Sequence, residues 1–122
     1  MQKKVLIVDD HPDLRRLVSI TLCGTGFELI EACDGDQALE LILQHQPSLV
    51  VLDVMMPGKM DGFQLCEYIK STPQLHFIKV LLLSARSQAT DLEKGIKVRA
   101  DDYMVKPFSP LLLLRKVNEL ME

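Results

Sequence analysis

The chain has 122 residues, which suits one hydrophobic core, so we expect a single domain over residues 1–122. Hydrophobic residues make up 48% of the chain, and no apolar run approaches the roughly 20 residues that span a bilayer, so a membrane protein is excluded. The net charge of −3 predicts no general attraction to nucleic acid. The three cysteines form no CxxC pair and are interpreted as buried, reduced thiols of a cytoplasmic protein.

Short apolar runs alternate with segments of helical periodicity along the whole chain. Turn and cap residues separate the two kinds of segment. In chain order, the predicted elements are a strand over Lys4 to Asp9, a helix from Pro12, a strand over Glu28 to Ala32, a helix opened by Asp34-Gly35-Asp36, a strand over Leu49 to Asp53, a helix after the loop Met56 to Gly62, a strand over Ile78 to Leu83, a helix near Gln88 to Val98, a strand over Asp102 to Val105 and a helix from Ser109-Pro110.

This alternation predicts an α/β fold with a doubly wound, five-stranded parallel sheet. The strand order 2-1-3-4-5, a flavodoxin-like three-layer sandwich, is one common solution. Leu49 to Asp53 should be a central strand because it is apolar on both faces, whereas the alternating Glu28 to Ala32 should lie at an edge. The helix before the last strand has a thin apolar stripe of Ala89, Leu92 and Ile96, and Gly95 within it costs about 1 kcal/mol relative to alanine.

Polar residues stand where four of the apolar runs end. Asp9 and Asp10 follow the first run, Asp53 the third, Ser84 the fourth and Lys106 the fifth. Because open α/β sheets bind ligands outside the carboxyl ends of their strands, these residues should assemble into one site.

Three clustered carboxylates would repel one another by about 4 kcal/mol per pair at 4 Å and an effective dielectric of 20. A hard divalent cation relieves that repulsion, and an oxygen-only ligand set favours Mg²⁺ or Mn²⁺. The three histidines are scattered and do not have metal-ligand spacing. A carboxylate is also a nucleophile towards phosphorus, so the same edge could carry phosphoryl transfer.

At these positions the sequence closely resembles the receiver domains of two-component response regulators. The resemblance covers essentially the whole chain and rests on the order and spacing of four motifs. They are Val8-Asp9-Asp10, then Leu52-Asp53-Val54-Met55-Met56-Pro57 with Asp61-Gly62, then Leu83-Ser84-Ala85, and then Ala100-Asp101-Asp102-Tyr103-Met104-Val105-Lys106-Pro107-Phe108.

The resemblance implies that Asp53 accepts a phosphoryl group from a histidine kinase or a histidine phosphotransfer protein. It also implies that Asp10, Asp53 and the backbone carbonyl of Met55 bind Mg²⁺, with Asp9 helping through a water. Such a domain is a signalling switch that catalyses only its own phosphorylation and slow dephosphorylation.

By the same resemblance, Lys106 would contact the phosphoryl group and Ser84 would move towards it. Tyr103 would then rotate inward, switching the face formed by the helix near Gln88 to Val98, the strand Asp102 to Val105 and the last helix, to control an output domain or protein. The position of Lys106-Pro107 is similar to one that often holds a cis peptide bond.

Three features depart from the pattern of the receiver domains. Lys59 looks like one extra residue in its loop, and Arg99 stands where glycine is usual, which would cost roughly 1 kcal/mol if the turn is left-handed. Leu111 and Leu112 replace polar residues that are common near the start of the last helix. The four consecutive leucines from Leu111 to Leu114 cannot all face one core, so at least one should be exposed. This suggests a partner contact or a homodimer through the last helix, and the alternative is partial burial under a neighbouring side chain.

Three other functions are compatible with the same fold. A pseudo-receiver would serve as a docking module without being phosphorylated. A flavodoxin-like cofactor binder would need a phosphate loop after the first strand, where this chain is acidic. A phosphatase with an aspartyl nucleophile would carry a second aspartate two positions on, where this chain has Met55.

Overall fold

The computed structural model describes residues 3–56, 60–84, 89–106 and 108–122, and for residues 89–92 it describes the backbone only. Strands and helices alternate along the chain, as the sequence predicts. The elements are β1 (Lys4–Val8), α1 (Pro12–Leu22), β2 (Glu28–Ala32), α2 (Gly35–His45), β3 (Leu49–Asp53), α3 (Gly62–Ser71), β4 (Lys79–Ser84), α4 (Ala89–Lys97), β5 (Asp102–Val105) and α5 (Pro110–Met121).

All strand pairs are parallel, and the sheet has the order β2-β1-β3-β4-β5. The predicted fold class and strand order are therefore confirmed. Every residue of β3 is buried, in keeping with its central place, while β2 lies at an edge and exposes part of its length. None of the helices in the described ranges has the length and apolar character that crossing a bilayer requires.

The sheet separates two hydrophobic layers because successive side chains of a strand point to opposite faces. Leu6, Leu52 and Leu82 belong to the layer that α2 and α3 cover. Val51 and Leu81 belong to the layer that α1 and α5 cover. A sheet buried on both faces leaves its strand ends as the place where polar groups gather.

The short helix α4 differs from its predicted orientation. Ile96 was expected in its inward stripe but is 70% exposed, whereas Gly95 and Val98 are buried. Gly95 faces the sheet, and a Cβ there would lie 3.5 Å from both Leu82 and Tyr103, which is ordinary contact. The prediction for Ile96 is wrong because α4 rests on Leu82 and Tyr103 through Gly95, which leaves Ile96 towards solvent.

The turn after α4 is left-handed, as the departure at Arg99 suggested. Arg99 has φ of +65°, its N–H donates to the Ile96 carbonyl, and the Ala100 N–H donates to the Gly95 carbonyl. This is the hydrogen-bond pattern of a Schellman motif, in which the left-handed position is usually glycine. Arg99 therefore carries the conformational cost predicted for it.

The cysteines correct one further prediction. Cys66 is buried and the pKa of its thiol is raised to about 12, mainly because burial disfavours the thiolate. Cys23 and Cys33 are exposed instead, since they lie just beyond the ends of α1 and β2. All three cysteines are free thiols.

Candidate functional site

The register of the sheet places the predicted site residues side by side. Val8 of β1 pairs with Leu52 of β3, so Asp9 and Asp53 follow at the same level of the sheet. Asp53 in turn pairs with Leu83, which precedes Ser84. The residues predicted from strand ends are thus brought to one edge by the pairing of strands that are distant in sequence.

Lys106 joins the two most buried carboxylates. Its Nζ atom lies 3.3 Å from Asp9 Oδ2 and 3.4 Å from Asp53 Oδ2. Asp9 and Asp53 are each 2% exposed, and the Lys106 side chain is 16% exposed. One ammonium facing two carboxylates neutralises only half of their charge, so the pair keeps an excess negative charge in a poorly solvated place.

The pKa of Asp53 is raised above its ordinary value of 3.8, chiefly because burial disfavours the charged form. The Met55 N–H, which donates to Asp53 Oδ1 at 3.1 Å, opposes that effect, and Lys106 opposes it further. The nearby charge of Asp9 raises the pKa again. Keeping Asp53 ionised therefore costs free energy, and a bound cation would lower that cost.

Asp10 completes an acidic cluster that could bind a metal ion. Ligand atoms of Asp9, Asp10, His11 and Asp53 all lie within 4.8 Å of one another. The Asp10 Oδ1 atom is buried and accepts no hydrogen bond from any residue in the described ranges. A buried, unsatisfied carboxylate oxygen is costly without a partner, and a cation beside it would supply one. These donors fit a divalent ion.

Ser84 and Lys106 are connected through the backbone. Ser84 is fully buried at the end of β4, and its carbonyl accepts a 2.6 Å hydrogen bond from the Lys106 N–H. A displacement of Ser84 would therefore be transmitted directly to β5. Met55, which lies beside Asp53, is 53% exposed.

Tyr103 pairs with Leu82 in the sheet and lies on the side of β5 that faces α4. Its side chain is half-buried and packs on the hydrophobic layer below α2 and α3. A Cβ on Gly95 would lie 3.5 Å from the Tyr103 ring, so α4 is its neighbour. Tyr103 is thus placed to report a change in α4.

Two residues support the site without having been predicted to do so. A Cβ on Gly62 would lie only 2.3 Å from the Asp53 carbonyl oxygen, so the first residue of α3 has room for no side chain. Arg15 on α1 donates from Nη1 to the Asp9 carbonyl at 2.8 Å and from Nε to Glu31 at 3.1 Å. Asp61-Gly62 already stood out as a motif, whereas nothing in the sequence signals the role of Arg15.

The placement of His11 also differs from what the sequence predicted. The histidine spacing gave no reason to expect one at a metal site, yet the His11 ring lies beside Asp9 and Asp10. The signal that could have identified it is its position directly after the two aspartates. Lys59 and the peptide bond to Pro107 lie outside the described residues, so the predictions on them stay predictions.

The chain matches the response regulator receiver domain over residues 5–118 and belongs to that family. Its class is therefore the receiver domains of two-component systems, which are signalling switches, as the resemblance indicated.

Individual relatives agree with this assignment. The chain is 40% identical over 118 residues to the alkaline phosphatase synthesis transcriptional regulatory protein PhoP of Bacillus subtilis, covering 97% of this chain and 46% of that protein. It spans about half the length of the relatives of this kind that it matches.

Solved structures agree as well. The chemotaxis response regulator CheY4 of Vibrio cholerae is 32% identical with a TM-score of 0.89, and the match covers 98% of this chain and 99% of CheY4. The BeF₃-activated receiver domain of DrrB is 32% identical with a TM-score of 0.88, covering 99% of this chain and 98% of DrrB.

Proposed function

We propose that this receiver domain is phosphorylated on Asp53 and that the modification switches its α4-β5-α5 face. The observation that carries the proposal is the buried Asp53 carboxylate, which faces Lys106 at the end of β3 beside two further aspartates. A pseudo-receiver used only for docking would have no need of so costly a cluster.

The proposed reaction is transfer of a phosphoryl group from a phosphohistidine of a kinase or phosphotransfer protein. A carboxylate oxygen of Asp53 attacks phosphorus, the phosphorus–nitrogen bond to the donor histidine breaks, and an aspartyl phosphate results. The donor imidazole leaves with the electron pair and takes up a proton. The positions of Lys106 and Ser84 suit them to pair with phosphoryl oxygens as charge spreads over the group.

Mg²⁺, or Mn²⁺ in its place, would be held by Asp10, Asp53 and the Met55 carbonyl, with Asp9 acting through a water. The ion would supply charge neutralisation at the transferring group. Two residues orient the Asp53 carboxylate independently of the ion. The Met55 N–H donates to one oxygen of Asp53, and Lys106 pairs with the other.

For the switch, we propose that Ser84 moves towards the phosphoryl group and that Tyr103 turns inward. The Ser84 carbonyl is tied to the Lys106 N–H, and Tyr103 lies against α4. Converting a 1:99 population to 99:1 requires about 5.5 kcal/mol. Charge-assisted hydrogen bonds of about 1.5–3 kcal/mol each, made by Lys106 and Ser84 to the phosphoryl group, could supply that energy. The helix α4 has only nine residues, so its stability depends on its packing and it could respond to a change at Tyr103.

Intact-protein mass after incubation with acetyl phosphate and Mg²⁺ tests the proposal. One added phosphoryl group is expected on the wild type and on Asp36→Asn, a matched change at an exposed position of α2. The adduct should be absent from Asp53→Asn and from wild type treated with a chelator. No adduct on folded wild type, together with no beryllofluoride binding, would favour the docking module.

The output partner, the homodimer through α5 and the cytoplasmic location stay predictions. Leu111 is 76% exposed, so the expectation that one of the four leucines faces solvent is confirmed. Sedimentation with and without beryllofluoride tests the homodimer, and a monomer under both conditions would contradict it.

A further inference from the structure

We propose that His11 acts as a metal ligand and makes the acidic cluster bind first-row transition ions such as Zn²⁺ more tightly, relative to Mg²⁺, than its carboxylates alone would. This inference rests on the proposed function, since it concerns the same metal site. It adds a nitrogen donor to a site whose other side-chain donors are carboxylates.

The spacing of the donor atoms supports coordination by His11. Its Nδ1 atom is within hydrogen-bond distance of Asp9 Oδ1, at 3.3 Å, and lies 3.2 Å from Asp10 Oδ1. Two ligands about 2.1 Å from one ion lie about 3.0 Å apart at a right angle and about 3.4 Å apart at the tetrahedral angle. Both observed spacings fall between these values, so a single ion could contact the nitrogen and an oxygen of either aspartate.

The backbone fixes His11 in this place. His11 is the N-cap of α1 with φ of −92° and ψ of 110°, and its N–H donates to Asp9 Oδ1 at 2.9 Å. Pro12 follows and disfavours the helical conformation for His11, which holds the ring outside the helix. The imidazole is 69% exposed, so it can turn towards an entering ion with little loss of packing.

The Asp10 carboxylate offers a further donor oxygen beside the imidazole. Its Oδ1 atom is buried and, within the described ranges, has no hydrogen-bond partner, and its 3.2 Å contact with His11 Nδ1 is an ion pair only when the imidazole is protonated. A metal ion bound by the neutral imidazole would place a cation beside that oxygen instead.

Ligand chemistry then sets the preference. Imidazole suits zinc, nickel, copper and iron, whereas magnesium prefers oxygen ligands and retains its waters. Carboxylates by themselves also follow the general affinity order of the first-row ions. The quantity that depends on His11 is therefore the ratio of Zn²⁺ to Mg²⁺ affinity.

Titration calorimetry with Zn²⁺ and with Mg²⁺, in mildly alkaline buffer, measures that ratio. The parent protein should carry Cys23→Ser and Cys33→Ser, because exposed thiols bind zinc. His11→Gln keeps a polar side chain and the N-cap backbone, and His11→Ala removes the ring entirely. His76→Ala is the matched control, since the His76 ring is exposed and contacts the Pro73 carbonyl instead of the cluster.

We expect both His11 variants to lose about tenfold or more in Zn²⁺ affinity, the scale seen when partners of metal ligands are removed, with Mg²⁺ affinity nearly unchanged. Zn²⁺ should also shift the His11 ring resonances in the parent NMR spectrum. Equal losses for both ions would show that His11 only positions the aspartates, and no loss would show that it has no role. Either result overturns the inference, whereas Mg²⁺ binding by the parent protein would still support the magnesium site of the proposed function. Absence of Mg²⁺ binding by the parent protein would instead overturn the metal site of the proposed function, and the inference with it.

Discussion

Replacement of Gly62 by alanine should destabilise the fold and disturb the acceptor at once. The added Cβ would lie 2.3 Å from the Asp53 carbonyl oxygen and 2.6 Å from the Val54 Cα. Both neighbours are backbone atoms at the end of the central strand, so neither can turn aside as a flexible side chain would. Either α3 or the end of β3 must move.

The magnitude follows from the size of that overlap. Ordinary contacts of a Cβ begin at 3.4 Å, so the methyl group is more than 1 Å too close. Overpacking of a core costs about 1–3 kcal/mol, and alanine recovers at most about 0.5–1 kcal/mol through its helix preference. Because the overlap is with backbone atoms, the upper part of that range, about 2–3 kcal/mol, applies. A net loss of roughly 1–2.5 kcal/mol is expected, which for a domain of this size lowers Tm by about 4 °C per kcal/mol.

Gly95→Ala is the matched control, since both glycines are buried and helical. A Cβ at Gly95 meets Leu82 and Tyr103 at 3.5 Å, which is ordinary contact, so this variant should equal or exceed the wild type in stability. Urea unfolding followed by circular dichroism gives the free energies. The rate of phosphoryl uptake from acetyl phosphate should fall for Gly62→Ala, because the Asp53 carbonyl shares the strand end that must shift.

A Gly62→Ala protein as stable as the wild type, with an unchanged rate, would refute the reasoning. It would mean that the close approach of α3 to β3 is relieved without cost. A loss of stability of the same size in Gly95→Ala would also count against it, because the effect would then come from helical glycines in general.

Other residues allow separate tests. Arg99→Gly should raise the free energy of unfolding by about 0.5–1 kcal/mol because the left-handed turn favours glycine. A lower free energy of unfolding, measured by urea denaturation, would contradict this. Asp53→Asn, with a chelator present, should be more stable than wild type at neutral pH. The raised pKa of Asp53 means that the folded wild type gains stability as pH falls through that pKa, so the advantage should shrink on acidification; an advantage that grows would refute the burial account. Iodoacetamide should modify Cys23 and Cys33 in the folded protein but spare Cys66, whose pKa is about 12, and mass spectrometry of the peptides would show any exception.

The sequence alone determined the order and type of the elements, because hydrophobic periodicity and turn residues are local signals. The strand predictions for β2, β3 and β5 match the structure residue for residue, and those for β1 and β4 differ by one residue at their ends. Since the carboxyl ends of parallel strands share one edge, the grouping of Asp53 with the other polar residues could be predicted from the sequence alone. The family resemblance added the proposed roles.

Tertiary structure decided the features that depend on contacts between distant segments. The packing of Gly95 on Leu82 and Tyr103 shows which side of α4 turns inward. The burial that raises the pKa of Asp53 comes from the packing around β3, and the need for glycine at position 62 comes from the approach of α3 to that strand. The position of the His11 ring between Asp9 and Asp10 also depends on a backbone conformation that spacing does not reveal. Distances, burial and electrostatic environment are properties of the packed chain, so a sequence can place residues at one edge but cannot say how closely they meet there.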